Sequence, residues 1–319
     1  MTKLAYIGNF VPEHSTENHV RQAWENQGHY VARVQEGNDD AYTELMDKMH
    51  KVDLVLWTRT HDLAAKWGHR KQWEMLAHAK SLNVPTVGFH LDRWWGLNRE
   101  PATWEEPFFR CSVMFTADGG HQESFFRIGV NHIWLPPGVS LGETALGTPQ
   151  AKYTSDLAFV GSWQSGYHKE WTHRPQLISW LQQTYGSRIQ FWPKYGEPSV
   201  RGQDLRDLYA SVKVVIGDSC LTGNVTRYWS DRIPETIGRG GFLIHPYVKG
   251  LEDHFSCTGG PGSHLWTWEI GAWDQLKYEI DRALESPDEI AEVRTAGRQH
   301  VIENHTYDVR VQQILEIVK

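Results

Sequence analysis

Arg232 and Glu235 stand three residues apart in Ser230-Asp231-Arg232-Ile233-Pro234-Glu235, followed by Gly238, Gly240 and Gly241 and then by the apolar run Phe242-Leu243-Ile244. A helix beginning near Ser230 or Asp231 would turn its free backbone N–H groups and positive dipole end toward an anion, with the forked, permanently charged guanidinium of Arg232 beside them. Glu235, one turn further on, can accept hydrogen bonds from two adjacent hydroxyls such as a ribose diol. The glycines stop the helix and let the chain turn tightly into a buried strand. These residue types at this spacing suit a nucleotide carrying phosphate. The same pattern also describes an ordinary capped helix with Arg232 and Glu235 paired on its surface.

The elements that must position these residues follow from the hydrophobic rhythm. Short apolar runs alternate with amphipathic stretches, which predicts an α/β fold with parallel sheets covered by helices. In the first half, strands are expected at 4–8, 31–34, 54–57, 86–89, 113–116 and 132–135, with helices at 16–27, 40–49, 62–82 and 120–128. Gly142, Gly147 and Pro149 interrupt the pattern in a polar segment between about 140 and 153. The alternation then restarts, with strands at 157–161, 189–192 and 213–217 and helices after Arg174 and over 203–210. The tail from 272 reads as helices broken at Ser286-Pro287 and near Asn304-His305. At 319 residues two domains are the expectation: an N-terminal one over 1–145, a C-terminal one over 153–303, and a last helix, 304–319, packing back on the first. Ligands of doubly wound sheets bind at the carboxyl ends of the strands. The loops to watch are therefore 8–16, 90–95, 117–121, 161–167, 193–196, 218–223 and 228–235, arranged around a cleft shared by two such domains.

Composition narrows the function classes. Lys and Arg number 32 against 39 Asp and Glu, for a net charge of −7, and both halves are acidic, so the chain as a whole is no polycation awaiting nucleic acid. One basic strip is expected on the helix over 62–82, from Lys66, His69, Arg70, Lys71, His78 and Lys80. Cys111, Cys220 and Cys257 are far apart and form no Cys-x-x-Cys pair, which points to free thiols. No run approaches the roughly 20 apolar residues of a membrane span. A cytoplasmic protein without membrane insertion is the expectation.

Asp231-Arg232-Ile233-Pro234-Glu235 followed by Gly240-Gly241-Phe242-Leu243-Ile244 resembles the donor-site helix of GT-B glycosyltransferases, and is most similar to the spore-maturation-protein-like and phage-encoded branches. Further likeness lies in Gly8-Asn9-Phe10 with His14-Ser15-Thr16-Glu17-Asn18-His19, in His90-Leu91-Asp92-Arg93-Trp94-Trp95-Gly96-Leu97, in Thr116-Ala117-Asp118-Gly119-Gly120 and in Trp134-Leu135-Pro136-Pro137-Gly138-Val139. The resemblance implies two Rossmann-like domains, a nucleotide-diphosphate sugar held by the C-terminal one, a UDP-sugar first among them, and an acceptor approached mainly by the N-terminal one. It implies transfer without an essential metal or other cofactor, and the sequence has no Asp-x-Asp element to hold a divalent ion against a diphosphate. One position departs from the pattern: Glu235 fits the second glutamate of a Glu-x7-Glu pair, but Arg227 occupies the first, which leaves inversion and retention both open.

Glycosyl transfer needs its leaving diphosphate stabilised and its acceptor hydroxyl deprotonated. On the donor side the candidates are Arg232 and the backbone at Ser230 for the diphosphate, Arg174 and Lys194 as further cations, Gly161 and Ser162 for close backbone approach, and Glu235 for the ribose. Asp218 and Ser219 end a strand and read equally well as a helix cap. On the acceptor side Asp92 is the first candidate base, with His90 beside it and His14 as another, while Asp118, Trp94 and Trp95 would line the acceptor. Sixteen tryptophans are many for this length; Trp24, Trp73 and Trp180 read as core, and Trp94, Trp95 and Trp163 as stacking platforms. The phage-like resemblance makes a hydroxymethylated pyrimidine in DNA the leading acceptor. A saccharide or protein acceptor, a nucleotide-sugar epimerase, and a glycan-binding protein on the same fold are the alternatives.

Overall fold

A computed structural model describes residues 1–59, 63–164, 170–223 and 225–318. The chain divides into two compact units, Met1–Pro136 with Tyr307–Lys319, and Pro137–Thr306. The beginning of the helix expected at 62–82 and the last part of the loop expected at 161–167 lie outside the described residues.

Unit 1 carries six strands, β1 (Lys3–Gly8), β2 (Tyr30–Gln35), β3 (Leu54–Trp57), β4 (Thr86–His90), β5 (Val113–Thr116) and β6 (His132–Trp134), in the order β2-β1-β3-β4-β5-β6 with every pairing parallel. Leu54-Val55-Leu56-Trp57 is buried throughout, as a strand covered on both faces must be. Alternate side chains go to opposite faces: Ile7, Val55 and Trp57 join one apolar cluster, and Leu4, Tyr6, Leu54 and Leu56 the other. The helices are α1 (Thr16–Asn26), α2 (Asp39–Lys48), α3 (Leu63–Ser81), α4 (Ala102–Glu105) and α5 (Gln122–Arg127). The Ser15 hydroxyl accepts the Asn18 N–H and the Asn38 amide oxygen that of Ala41, so α1 and α2 begin on side-chain caps.

Unit 2 carries β7 (Ser155–Val160), β8 (Ile189–Trp192), β9 (Val212–Ile216), β10 (Leu243–Pro246) and β11 (Trp266–Trp268), in the parallel order β11-β10-β9-β7-β8. Its helices are α6 (Arg174–Tyr185), α7 (Gly202–Ser211), α8 (Arg232–Gly238), α9 (Trp273–Glu285) and α10 (Pro287–Asn304). The last helix, α11 (Tyr307–Val318), belongs to unit 1. Its Tyr307, Val311 and Ile314 pack with Leu4, Tyr6 and Trp24, and Arg310 Nε donates to Pro136 O at 2.7 Å.

Three departures from the sequence reading have local causes. Segment 140–153, expected as the join, is part of unit 2: Thr148 N donates to Asp207 and Gln150 N to Ser211 Oγ, both at 2.8 Å, and a Cβ on Gly147 would fall 2.2 Å from the Arg206 backbone. Strand β11 has only three residues and follows a Gly/Ser-rich loop, so its pattern is too short to read. Trp73, expected in the core, is 47% exposed. Gly68, with φ +69°, breaks the phase of α3, and the face turned inward beyond it carries Gln72, Met75, Leu76 and Ala79. Among the described residues no helix is long and apolar enough to cross a membrane.

Candidate active site

In each sheet the connection reverses direction beside the first strand, between β1 and β3 in unit 1 and between β7 and β9 in unit 2, and the crevice at the carboxyl ends of such a pair is where doubly wound sheets bind ligands. The two crevices differ.

In unit 2 a cavity of about 340 Å³ opens at the end of β7, lined by Gly161, Ser162, Trp163, Arg201, Arg232 and Glu235 among others. Gly161 has φ +142°, and a Cβ there would meet Arg232 Nη2 at 2.3 Å. Glycine is what lets the guanidinium lie against the backbone. Arg232 Nη1 donates to Asp218 O at 3.1 Å, and no carboxylate pairs with this arginine among the described residues. Glu235 borders the same cavity, with Arg239 Nη1 3.9 Å from its carboxylate. The cavity therefore presents a cation, a carboxylate and an indole. Trp163 donates from Nε1 to Pro193 O at 2.8 Å and packs on Phe191, which fixes its ring at the cavity wall.

Behind that wall lies a buried scaffold. Asp218 is fully buried, and its two oxygens take His173 Nε2 and Arg174 Nε; these two bonds hold its carboxyl below the usual carboxylate range in spite of burial. Arg174 is 1% exposed, donates from Nη1 to Ser162 O at 3.1 Å, and lies over Trp171; burial brings its guanidinium down to about 10. The Ser219 hydroxyl accepts the Ser230 N–H at 3.0 Å and lies 2.9 Å from His245 Nε2, while burial lowers His245 to about 4, so this imidazole is neutral. Arg174, Asp218 and Ser219, expected to touch the donor, instead fix the loops that carry Ser162, Ser230 and Arg232. Complete burial of their polar atoms is the reason. Helix α8 starts at Arg232, one residue beyond the expected start, and Ser230 N is committed to Ser219. Lys194, also expected on the donor side, lies over the Trp192 ring at 4.5 Å and bonds Gln190. At the first glutamate position of the Glu-x7-Glu pair, Arg227 is tied to Asp253 at 2.6 Å. Arg201 lines the cavity and was missed by the sequence reading, because it sits in a loop with no strand end to mark it.

In unit 1 the corresponding crevice is occupied by the chain itself. Glu17, in the first turn of α1, is 2% exposed, and a Cβ on Gly8 would meet its Cγ at 2.6 Å and Thr58 O at 3.6 Å. Among the described residues its Oε1 has no hydrogen-bond partner, and burial pushes the carboxyl up to about 7, with the Asn9 and Glu17 backbone amides opposing the shift. The amides that would otherwise meet an anion face this carboxylate.

The candidate acceptor residues also lie in unit 1. Asp92 is exposed just past β4, with Arg99 Nη1 3.7 Å from its carboxylate. His90 is buried, accepts the Asp92 N–H on Nδ1 at 3.0 Å, and is brought down to about 4 by burial, so it stays neutral and holds the Asp92 backbone. Asp118 is buried and accepts the N–H groups of Trp94 and Trp95, each at 2.8 Å; burial raises it to about 6. It shapes the 92–97 loop and is too deep to meet an acceptor. Trp94 is 6% exposed, packed on Phe109 and His90 with Arg59 and Arg99 against its ring, so it offers no stacking face. Trp95 is half-buried and stacks with His121 at 5.7 Å, and His14 is exposed.

Comparison with known proteins fits this architecture. Residues 155–316, just over half of the chain, match the family model described as glycosyl transferase-like. HepE of Anabaena, solved with UDP and glucose, has a TM-score of 0.62 at 11% identity and covers 100% of this chain and 99% of its own. A glycosyltransferase of Rickettsia africae gives 0.64 at 11%, covering 100% and 98%. An alpha-glucosyltransferase solved with UDP-glucose and DNA containing an abasic site gives 0.64 at 9%, covering 99% of each chain. At such identities the likeness is one of fold, two Rossmann-like parallel-sheet domains of the GT-B type. No curated protein matches by sequence.

Proposed function

This chain belongs to the glycosyl transferase-like family, and on that premise we propose that it moves a sugar from a UDP-sugar to a hydroxyl, with a hydroxymethylated pyrimidine of DNA as the acceptor, as a phage-type enzyme would. The observation that carries the donor half is Arg232, held against Gly161 at the end of β7 and paired with no carboxylate among the described residues. Its guanidinium neutralises the charge that grows on the leaving diphosphate, Ser162 and Gly161 allow close backbone approach, and Glu235 accepts from the ribose. Arg201 adds a second cation at the same cavity. The proposed transfer needs no metal, because Arg232 and Arg201 supply the charge neutralisation.

On the acceptor side Asp92 takes the hydroxyl proton, since it is the exposed carboxylate at the end of β4, and His90 keeps its backbone in place. The DNA acceptor draws support from the phage-like motifs and from the DNA bound by one protein of the same fold.

The test is transfer of radiolabelled sugar from UDP-sugars to hydroxymethylated duplex, unmodified duplex and oligosaccharide, each with and without EDTA. Transfer to the modified duplex alone, unaffected by EDTA, is the expected result. In the same assay Asp92→Asn should lower turnover by about 10²–10⁴. Transfer to oligosaccharide alone would remove the DNA acceptor, and donor rearrangement without any acceptor would favour an epimerase.

A further inference from the structure

A second hollow, of about 630 Å³, lies in unit 1 at the opposite edge of the sheet from His90 and Asp118. Its floor is the start of β4 and the approach to β5, where Thr86 Oγ1 and Ser112 Oγ are 3.2 Å apart and Ser112 N donates to Thr86 Oγ1 at 2.9 Å. One wall is the outer face of α3, with Trp73 and Lys80; Asn83 and Arg110 complete it. The volume is in the range of about 300–1,000 Å³ typical of ligand sites.

Three features of the lining bear on what fits. Trp73 is 47% exposed, so part of its indole is open to the hollow's solvent side. Lys80 is exposed, and among the described residues its ammonium makes no hydrogen bond or ion pair. Arg110 donates to the carbonyl oxygens of Thr103, Phe109 and Trp104, so its position is fixed, and among the described residues no carboxylate pairs with it. Among the described residues no acidic side chain lines the hollow. In a chain with seven more acids than bases, two uncompensated cations flanking an open indole mark a local preference for an anionic partner with a flat face.

We propose that this hollow binds a nucleic-acid strand, one base stacked on Trp73 and the neighbouring phosphates on Lys80 and Arg110. Base–aromatic stacking with cations tracking the backbone is how single strands are held without sequence preference. The site lies a full strand length from Asp92: the five residues of β4 span roughly 16 Å at 3.3 Å each. A ligand engaged at both edges must therefore be extended, as a polynucleotide is. The inference deepens the DNA-acceptor reading and rests on it for the choice of polymer, but strand binding is measured without any transfer step.

The experiment is fluorescence anisotropy of a labelled, unmodified single-stranded oligodeoxynucleotide with the full chain, at about 50 and about 200 mM NaCl, for the unaltered protein and for Trp73→Ala, Trp73→Phe and Lys80→Ala. The UDP-induced melting shift serves as the folding control for each. Trp73→Ala should weaken binding between about fivefold and a hundredfold, Trp73→Phe should keep most of it, and Lys80→Ala should reduce the salt slope by roughly 0.7. No binding by the unaltered protein, or equal affinity in all variants, overturns the proposal. Trp73-dependent binding of an oligosaccharide in place of the oligonucleotide overturns it in favour of a sugar-stacking face. Trp73-dependent strand binding with no transfer to hydroxymethylated DNA upholds the strand site and removes the acceptor reading; transfer at full rate with affinity unchanged in Trp73→Ala does the reverse.

Discussion

At the scale of residues, the proposed donor site turns on one contact. Gly161 and Arg232 are 71 positions apart in sequence and meet because β7 ends beside the start of α8, where glycine leaves room for a guanidinium. Gly161→Ala puts a methyl where Arg232 Nη2 lies and forces alanine into a region that side chains avoid, at about 1–3 kcal/mol. The variant should fold with a lowered melting temperature and bind UDP at least about tenfold more weakly, as measured by calorimetry; undiminished UDP affinity would show that Arg232 can be displaced without consequence. The Arg232–Glu235 motif and Gly161 were legible because helix caps and glycine punctuation are local signals. The burial of Asp218, Ser219 and Arg174 was not, since it depends on His173, Ser230 and His245 arriving from other parts of the chain. Trp94 and Trp73 exchanged expected roles for a related reason: the composition of a loop or helix does not say which face its neighbours cover.

At the scale of elements, Glu17 shows how a helix start can fill a binding crevice. An acid in the first turn of α1 reads in sequence as a favourable dipole contact, and nothing local says that Gly8 and Thr58 will enclose it. Enclosure with an unpartnered Oε1 raises its pKa to about 7 from the usual 4.5. A carboxyl whose folded pKa is raised contributes its stability fully below the unfolded value and loses it as pH rises through the folded value. The unaltered protein should therefore lose stability between about pH 4.5 and 7 relative to Glu17→Gln, by up to roughly 3 kcal/mol. Chemical denaturation of both proteins at pH 5 and pH 8 checks this, and parallel pH profiles would contradict it. The strands β3 and β5 were legible to the residue because β3 is an uninterrupted apolar run and β5 is one closed by the β-branched Thr116; β11 was too short, and Gly68 shifted α3 out of the register its spacing implied.

At the scale of the whole molecule, two sheets of the same design carry different crevices. The one in unit 1 is closed by Glu17, and the one in unit 2 is open beside Arg232. That asymmetry, more than any single motif, supports the proposed placing of the nucleotide in unit 2, and it is invisible to composition because both halves are acidic and both alternate strand with helix. A ligand that binds only the folded state stabilises it by about 2.7 kcal/mol at a hundred times its Kd. The most direct measurement is the melting shift with saturating UDP for the unaltered protein and for Arg232→Ala. The account predicts a clear upward shift that Arg232→Ala loses while its unliganded melting temperature stays close to that of the unaltered protein; an equal shift in both proteins would contradict it.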